Sequence, residues 1–172
     1  MTMTMTKTAF KANMKTWGAQ INTLKDARET ATTEKKLKEA HEIVIKQAVI
    51  TETAIFLGGC FGYNAMDVMS YFDHGVMPVN GQWDDKKFAN KLKDLLAKVC
   101  KSAYYKASFD KLQKKHSASE AEKVYQIQMR TLHLIHDVMR IPFPVHAIMQ
   151  EVANRRVKAV RNVKQNGHLF VR

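Results

Sequence analysis

Cysteine, proline and glycine are scarce in this chain of 172 residues, which holds 2 Cys, 3 Pro and 7 Gly. So few cysteines exclude a disulfide scaffold, and so little glycine and proline exclude a collagen or a low-complexity tail. Cys60 and Cys100 lie far apart in the chain. They suit a reducing compartment and two small core side chains. The start lacks a continuous apolar run: Met1-Thr-Met-Thr-Met-Thr-Lys7 alternates, whereas a secretory signal needs roughly 7–15 apolar residues. Residues 1–8 are expected to form a mobile tail. Ile43–Tyr63 approaches the ~20 apolar residues of a membrane span. Lys46, Gln47 and Glu52 interrupt it, and Gly58, Gly59 and Gly62 crowd one end. A cytoplasmic chain with no membrane partner is expected.

Chemical motifs are missing too. There is no Gly-rich phosphate loop, Cys-x-x-Cys pair, His-Glu-x-x-His or serine elbow, and no helix-turn-helix, zinc-finger, RNP or GXXG spacing. No catalytic residue, metal or cofactor is assigned, and the chain is not expected to be an enzyme.

What is present is helical periodicity. Met14, Trp17, Ile21 and Leu24 recur at spacings of three and four. A second helix, capped by Thr32 or Thr33, begins at Glu34 and lines a face with Leu37, Ala40, Val44, Ala48 and Ile55. Ile43, Ile45, Val49 and Ile50 make it apolar almost all round, which predicts a central, buried helix. Gly58-Gly59-Cys60-Phe61-Gly62 is expected to break it. Asn64 with Asp67 then caps a short helix carrying Met66, Met69 and Phe72. The stretch Val76–Trp83, with Asn80-Gly81, is loop or one small β-hairpin. Asp84 or Asp85 caps a long helix with Phe88, Leu92, Leu95, Leu96 and Val99, then Tyr105, Phe109 and Leu112. Ser117 and Glu120 have capping-box spacing before Val124, Ile127, Leu132, Ile135, Val138 and Met139. Pro142 and Pro144 stop that helix. The expected fold is all-α: a compact bundle of five to six helices. Residues 9–144 form the core domain, and 145–172 a basic C-terminal helix and arm.

Charge is the most informative feature. The formal net charge of +12 suggests an acidic partner. It is uneven: residues 84–116 carry ten lysines against four aspartates, and no acid follows Glu151, while six basic residues do. Arg155, Arg156, Lys158, Arg161, Lys164 and Arg172 can neutralise successive phosphates and release counterions. Lys98, Lys101 and Lys106 continue the track on the long helix. Tyr104, with Phe170 as a second ring, would stack bases, as proteins that hold single strands do. A solvated face would normally mix the two signs.

Two short segments resemble enzyme families. Ala54–Phe61, with its Gly58-Gly59-Cys60-Phe61 run, resembles the active-site segment of peptide methionine sulfoxide reductases, which implies a nucleophilic thiol at Cys60 and a strand-rich fold. That family's tryptophan after the phenylalanine is Gly62 here, and its acidic residue shortly beyond is missing. A buried cysteine at a helix corner is the reading adopted. Leu132-His-Leu-Ile-His-Asp-Val-Met-Arg-Ile-Pro142 is similar to the core of HD-type metal phosphohydrolases, which implies divalent metal at His133, His136 and Asp137. His116-Ser117 resembles that family's first ligand helix at a shorter spacing. No aspartate follows Asp137, and Met139 and Arg140 replace the usual Gly and Lys.

The expected function is binding of single-stranded nucleic acid, preferentially DNA, with low sequence specificity, by an accessory factor in replication or transcription. A homo-oligomer would multiply the basic arms around one strand. A polymerase or other nucleic-acid enzyme is the expected protein partner, and a viral source would place the chain in the host cytoplasm. The first alternative is a helical adapter or assembly protein binding an acidic protein surface; the second is the HD-like hydrolase.

Overall fold

The computed structural model describes residues 4–30, 37–76, 81–112, 115–140 and 154, with side chains left aside at 30, 37–38 and 104–121. Among the described residues, five helices follow one another: α1 (Lys7–Thr30), α2 (Leu37–Cys60), α3 (Ala65–His74), α4 (Asp85–Leu112) and α5 (Lys115–Met139). The fold is an all-α bundle, and no strand occurs among the described residues. Residues 77–80, the centre of the expected hairpin, lie outside the described residues, as do nearly all of 141–172.

α2 is the hub. It packs against α1, α3, α4 and α5, while α4 and α5 form the most extensive helix pair. A helix that is apolar almost all round must be covered on several sides to leave water. Glu39–Cys60 is long and apolar enough to cross a membrane, yet over half of its most apolar stretch is buried inside the bundle. The expected α2 face needs correction. Ile45, Val49, Ile50, Ala54 and Leu57 are buried, whereas Val44, Ala48 and Ile55 are only half-buried. Spacing of three, four and seven selects one stripe, but a helix with four neighbours has no single stripe.

The glycine run also behaves differently from expectation. α2 continues through Gly58 and Gly59 to Cys60 and turns at Gly62, whose φ is 87°. A Cβ at Gly58 would lie 2.8 Å from Val68 Cγ2, and one at Gly59 would run into Lys91 Nζ. Both glycines remain helical and serve close approach; the left-handed turn is left to Gly62. Around this corner Phe61 stacks edge-on to Trp83 at 5.2 Å and lies 5.0 Å from Phe10, while Trp83 lies 5.4 Å from Phe88. Tilted and edge-on rings at these separations add attraction beyond burial alone.

The Asn64 capping box is as expected. Asn64 Oδ1 accepts from the Asp67 amide at 2.8 Å, and Asp67 Oδ2 accepts from the Asn64 amide at 3.0 Å. The face of α3 is as expected only at Phe72: Val68 is its buried residue, and Met66 is 80% and Met69 39% exposed. Only Val68, Tyr71 and Phe72 turn toward the core.

α1 buries Met14, Trp17 and Ile21 as its spacing implies. Within the expected tail of residues 1–8, α1 already begins at Lys7. Met5 is buried, Thr4 Oγ1 donates to Asp85 Oδ1 at 2.9 Å, and Thr6 Oγ1 accepts from the Ala9 amide at 3.1 Å as the cap of α1. α5 starts at Lys115, so Ser117 and Glu120 sit inside its first turns. It ends at Met139, followed by Arg140 at φ 51°. A stop there fits Pro142 beyond it, since prolines end helices.

Candidate nucleic-acid interface

α4 carries two distinct faces. Asp84 Oδ1 accepts from the Lys87 amide at 3.0 Å, capping the first turn. Phe88, Leu95 and Val99 are buried, with Leu92 and Leu96 packed beside them. At roughly 100° per residue, Lys87, Lys91, Lys98 and Lys101 fall within an arc of roughly 80° on the other side. Lys87, Lys98 and Lys101 are exposed, Lys91 is half-buried, and Asp94 stands exposed within the same arc. From Lys87 to Lys101 the arc runs about 21 Å along the helix.

Beside it, α2, α4 and α5 leave a cleft in two adjoining parts of about 210 and 250 Å³, which share Glu52, Leu95, Lys98 and Thr131. Lys91 lines the first part. Its ammonium donates to the Phe56 carbonyl at 3.0 Å and lies 5.2 Å from the centre of the Phe56 ring. Burial holds the Lys91 amine below the usual lysine range. Farther along, Ser102 Oγ donates to the Lys98 carbonyl at 2.6 Å and also bonds Gln128 of α5. These bonds fix the α4 backbone under the basic arc.

Of the expected site residues, Lys98 and Lys101 are brought together, both exposed, one turn apart. Position 104 follows Lys101 by three residues on the α4 backbone, toward the arc of Lys93 and Ala97, beside the basic track. Position 106 falls about 140° round the helix from Lys101, so Lys106 departs from the track that Lys98 and Lys101 define. Arg155, Arg156, Lys158, Arg161, Lys164, Phe170 and Arg172 lie outside the described residues. Lys87 and Lys91 share the arc of Lys98 and Lys101 and were not among the expected residues. Their spacing to Lys98 and Lys101 in steps of three, four and seven was the available signal.

The enzyme-like segments can be placed as well. Cys60 ends a helix, is fully buried, and its Sγ donates to the Phe56 carbonyl at 3.4 Å. Burial pushes its thiol up to about 11, against a smaller opposing pull from Lys91. Reactive cysteines have the reverse arrangement, exposed and with a lowered pKa. His133 is exposed, and His136 Nδ1 lies 3.6 Å from Asp137 Oδ1. Among the described residues, no three His, Cys, Asp or Glu side chains are placed to hold a metal ion. No family model, no curated protein and no solved structure matches this chain.

Proposed function

We propose that this chain binds single-stranded nucleic acid with little sequence preference, as an accessory factor in replication or transcription that works beside a nucleic-acid enzyme. The observation that carries the reading is the α4 arc, where Lys87, Lys98 and Lys101 stand exposed with Lys91 between them. Lysines at helical spacing track a phosphate backbone and release its counterions. The six basic residues after Glu151 supply half of the net charge of +12, and Tyr104, three residues after Lys101 in the sequence, is the aromatic residue proposed for base stacking.

The test is a fluorescence-anisotropy titration with single- and double-stranded DNA and RNA oligonucleotides at two salt concentrations. Tighter binding to single strands, weakening steeply with salt, is expected. Binding that ignores salt, or that strongly prefers duplex, would overturn the reading.

A further inference from the structure

α1 and α5 both pack on α2 but form no extensive pair with each other. The gap between them is a groove of about 750 Å³, open along one side. Its floor is Val49 and Ile50 of α2, and its α1 wall includes Ala19 and Leu24. Lys15 of α1, Lys46 of α2 and Arg130 of α5 stand around it, and no carboxylate is among its described lining residues. Arg130 is already engaged, since its guanidinium bonds Glu42 and donates from Nε to Gln126 Oε1 at 3.1 Å. Glu42, one turn before Lys46, is thereby taken. Arg130 and Glu42 offset one another, so the excess positive charge of the rim comes from Lys15 and Lys46, both exposed.

We propose that this groove receives an acidic amphipathic helix of a protein partner. Three observations point to that occupant. The space lies between two helices and over a third, the place a further helix fills in a bundle. From Lys15 to Leu24 the wall is ~13 Å long, which accommodates anchors at i, i+3 or i+4, and i+7 spanning about 10 Å. The rim is cationic and the floor apolar, so the complementary ligand has an apolar stripe flanked by Glu or Asp. The chain's own terminus beyond Glu151 has the wrong sign, with six basic residues and no acid.

The probe is a fluorescein-labelled 18-residue helical peptide with leucines at heptad spacing and glutamates on its flanks. Controls are the same peptide with lysines replacing glutamates, and a scrambled acidic peptide. Full-length protein should bind the acidic helix at least tenfold more tightly than either control. Lys15→Glu with Lys46→Glu should weaken it at least tenfold and strengthen binding of the lysine peptide. Both lysines and Ala19 are exposed, so circular dichroism should stay unchanged on replacing them. Ala19→Glu, which fills the wall with a carboxylate, should weaken the acidic peptide without touching a lysine. Equal binding of the scrambled peptide, or indifference to these substitutions, would overturn the proposal in favour of general charge attraction. Self-association abolished by Ala19→Glu would overturn it in favour of a second copy. Peptide binding that appears only after Phe143→Asp and Ile148→Asp would overturn it in favour of the chain's own segment after α5.

Discussion

The Lys91 ammonium donates to the Phe56 carbonyl at 3.0 Å, in a space that exists because residue 59 has no side chain. A cation from α4 thus reaches the C-terminal end of α2, where carbonyls point outward and the helix dipole is negative. The hydrogen bond ties the basic helix to the central one.

That arrangement separates the two adjacent glycines. Gly58→Ala would press against Val68 Cγ2 at 2.8 Å and Phe10 Cζ at 3.4 Å, both side chains being buried. Overpacking of this kind costs ~1–3 kcal/mol, offset in part by better helix propensity. Gly59→Ala meets only the flexible end of Lys91, which can swing into solvent. Urea unfolding should show Gly58→Ala destabilised by ~1–2 kcal/mol and Gly59→Ala changed by less than ~1 kcal/mol. Equal losses would mean that Lys91 cannot leave its place.

Cys60 makes the folded state sensitive to alkali. Its thiol titrates near 11 when folded, against 9.0 ordinarily. Above pH 9 the unfolded thiol gives up its proton while the folded one keeps it, so stability falls as pH rises toward 11. Lys91 acts with the opposite sign: its amine is held low when folded, so raising the pH relieves a cost. Comparing wild type with Cys60→Ala isolates the thiol. Chemical unfolding from pH 8 to 11 should show a steeper loss for wild type; parallel curves would refute the assignment.

Glu42 and Arg130 join α2 to α5 across the bundle, with side chains 40% and 38% exposed. The Arg130 hydrogen bond holds the Glu42 carboxyl below its ordinary value. This contribution is present above the unfolded carboxyl value of 4.5 and is lost as pH falls through the depressed folded value. Solvent screening keeps it small. Glu42→Gln should cost under ~1 kcal/mol at pH 7 and nothing at strongly acid pH. A loss that persists in acid would show that the side chain matters through packing instead.

For nucleic acid, charge and stacking should separate. Lys98→Gln with Lys101→Gln should lower the slope of log K against log salt by roughly 1.4 for single strands, about 0.7 for each phosphate no longer neutralised. Tyr104→Ala should cost ~1–3 kcal/mol with the slope nearly unchanged. Replacing Lys106 alone by Gln should alter the slope least, since its position lies far round the helix from Lys101. An unchanged slope in the Lys98/Lys101 variant would move the interface off α4.

Much of this protein is written locally. The α1 stripe of Met14, Trp17 and Ile21, the Asn64–Asp67 capping box and the Asp84 cap on α4 are each set by residues three or four apart. Helix geometry alone brings such residues together, so sequence spacing suffices to find them. The central place of α2 was equally legible from its near-continuous apolar surface. Which α2 residues are most buried was not, because four neighbouring helices decide that, and two of them, α4 and α5, come from distant parts of the chain. The same holds for Gly59, whose missing side chain has meaning only once Lys91 is packed beside it. Lys87 and Lys91 join Lys98 and Lys101 through the turn of one helix, whereas the cleft next to them needs α2 and α5. The groove with Lys15, Lys46 and Arg130 at its rim belongs wholly to tertiary structure. Its three cations sit on three helices, and only their packing on α2 makes one site of them.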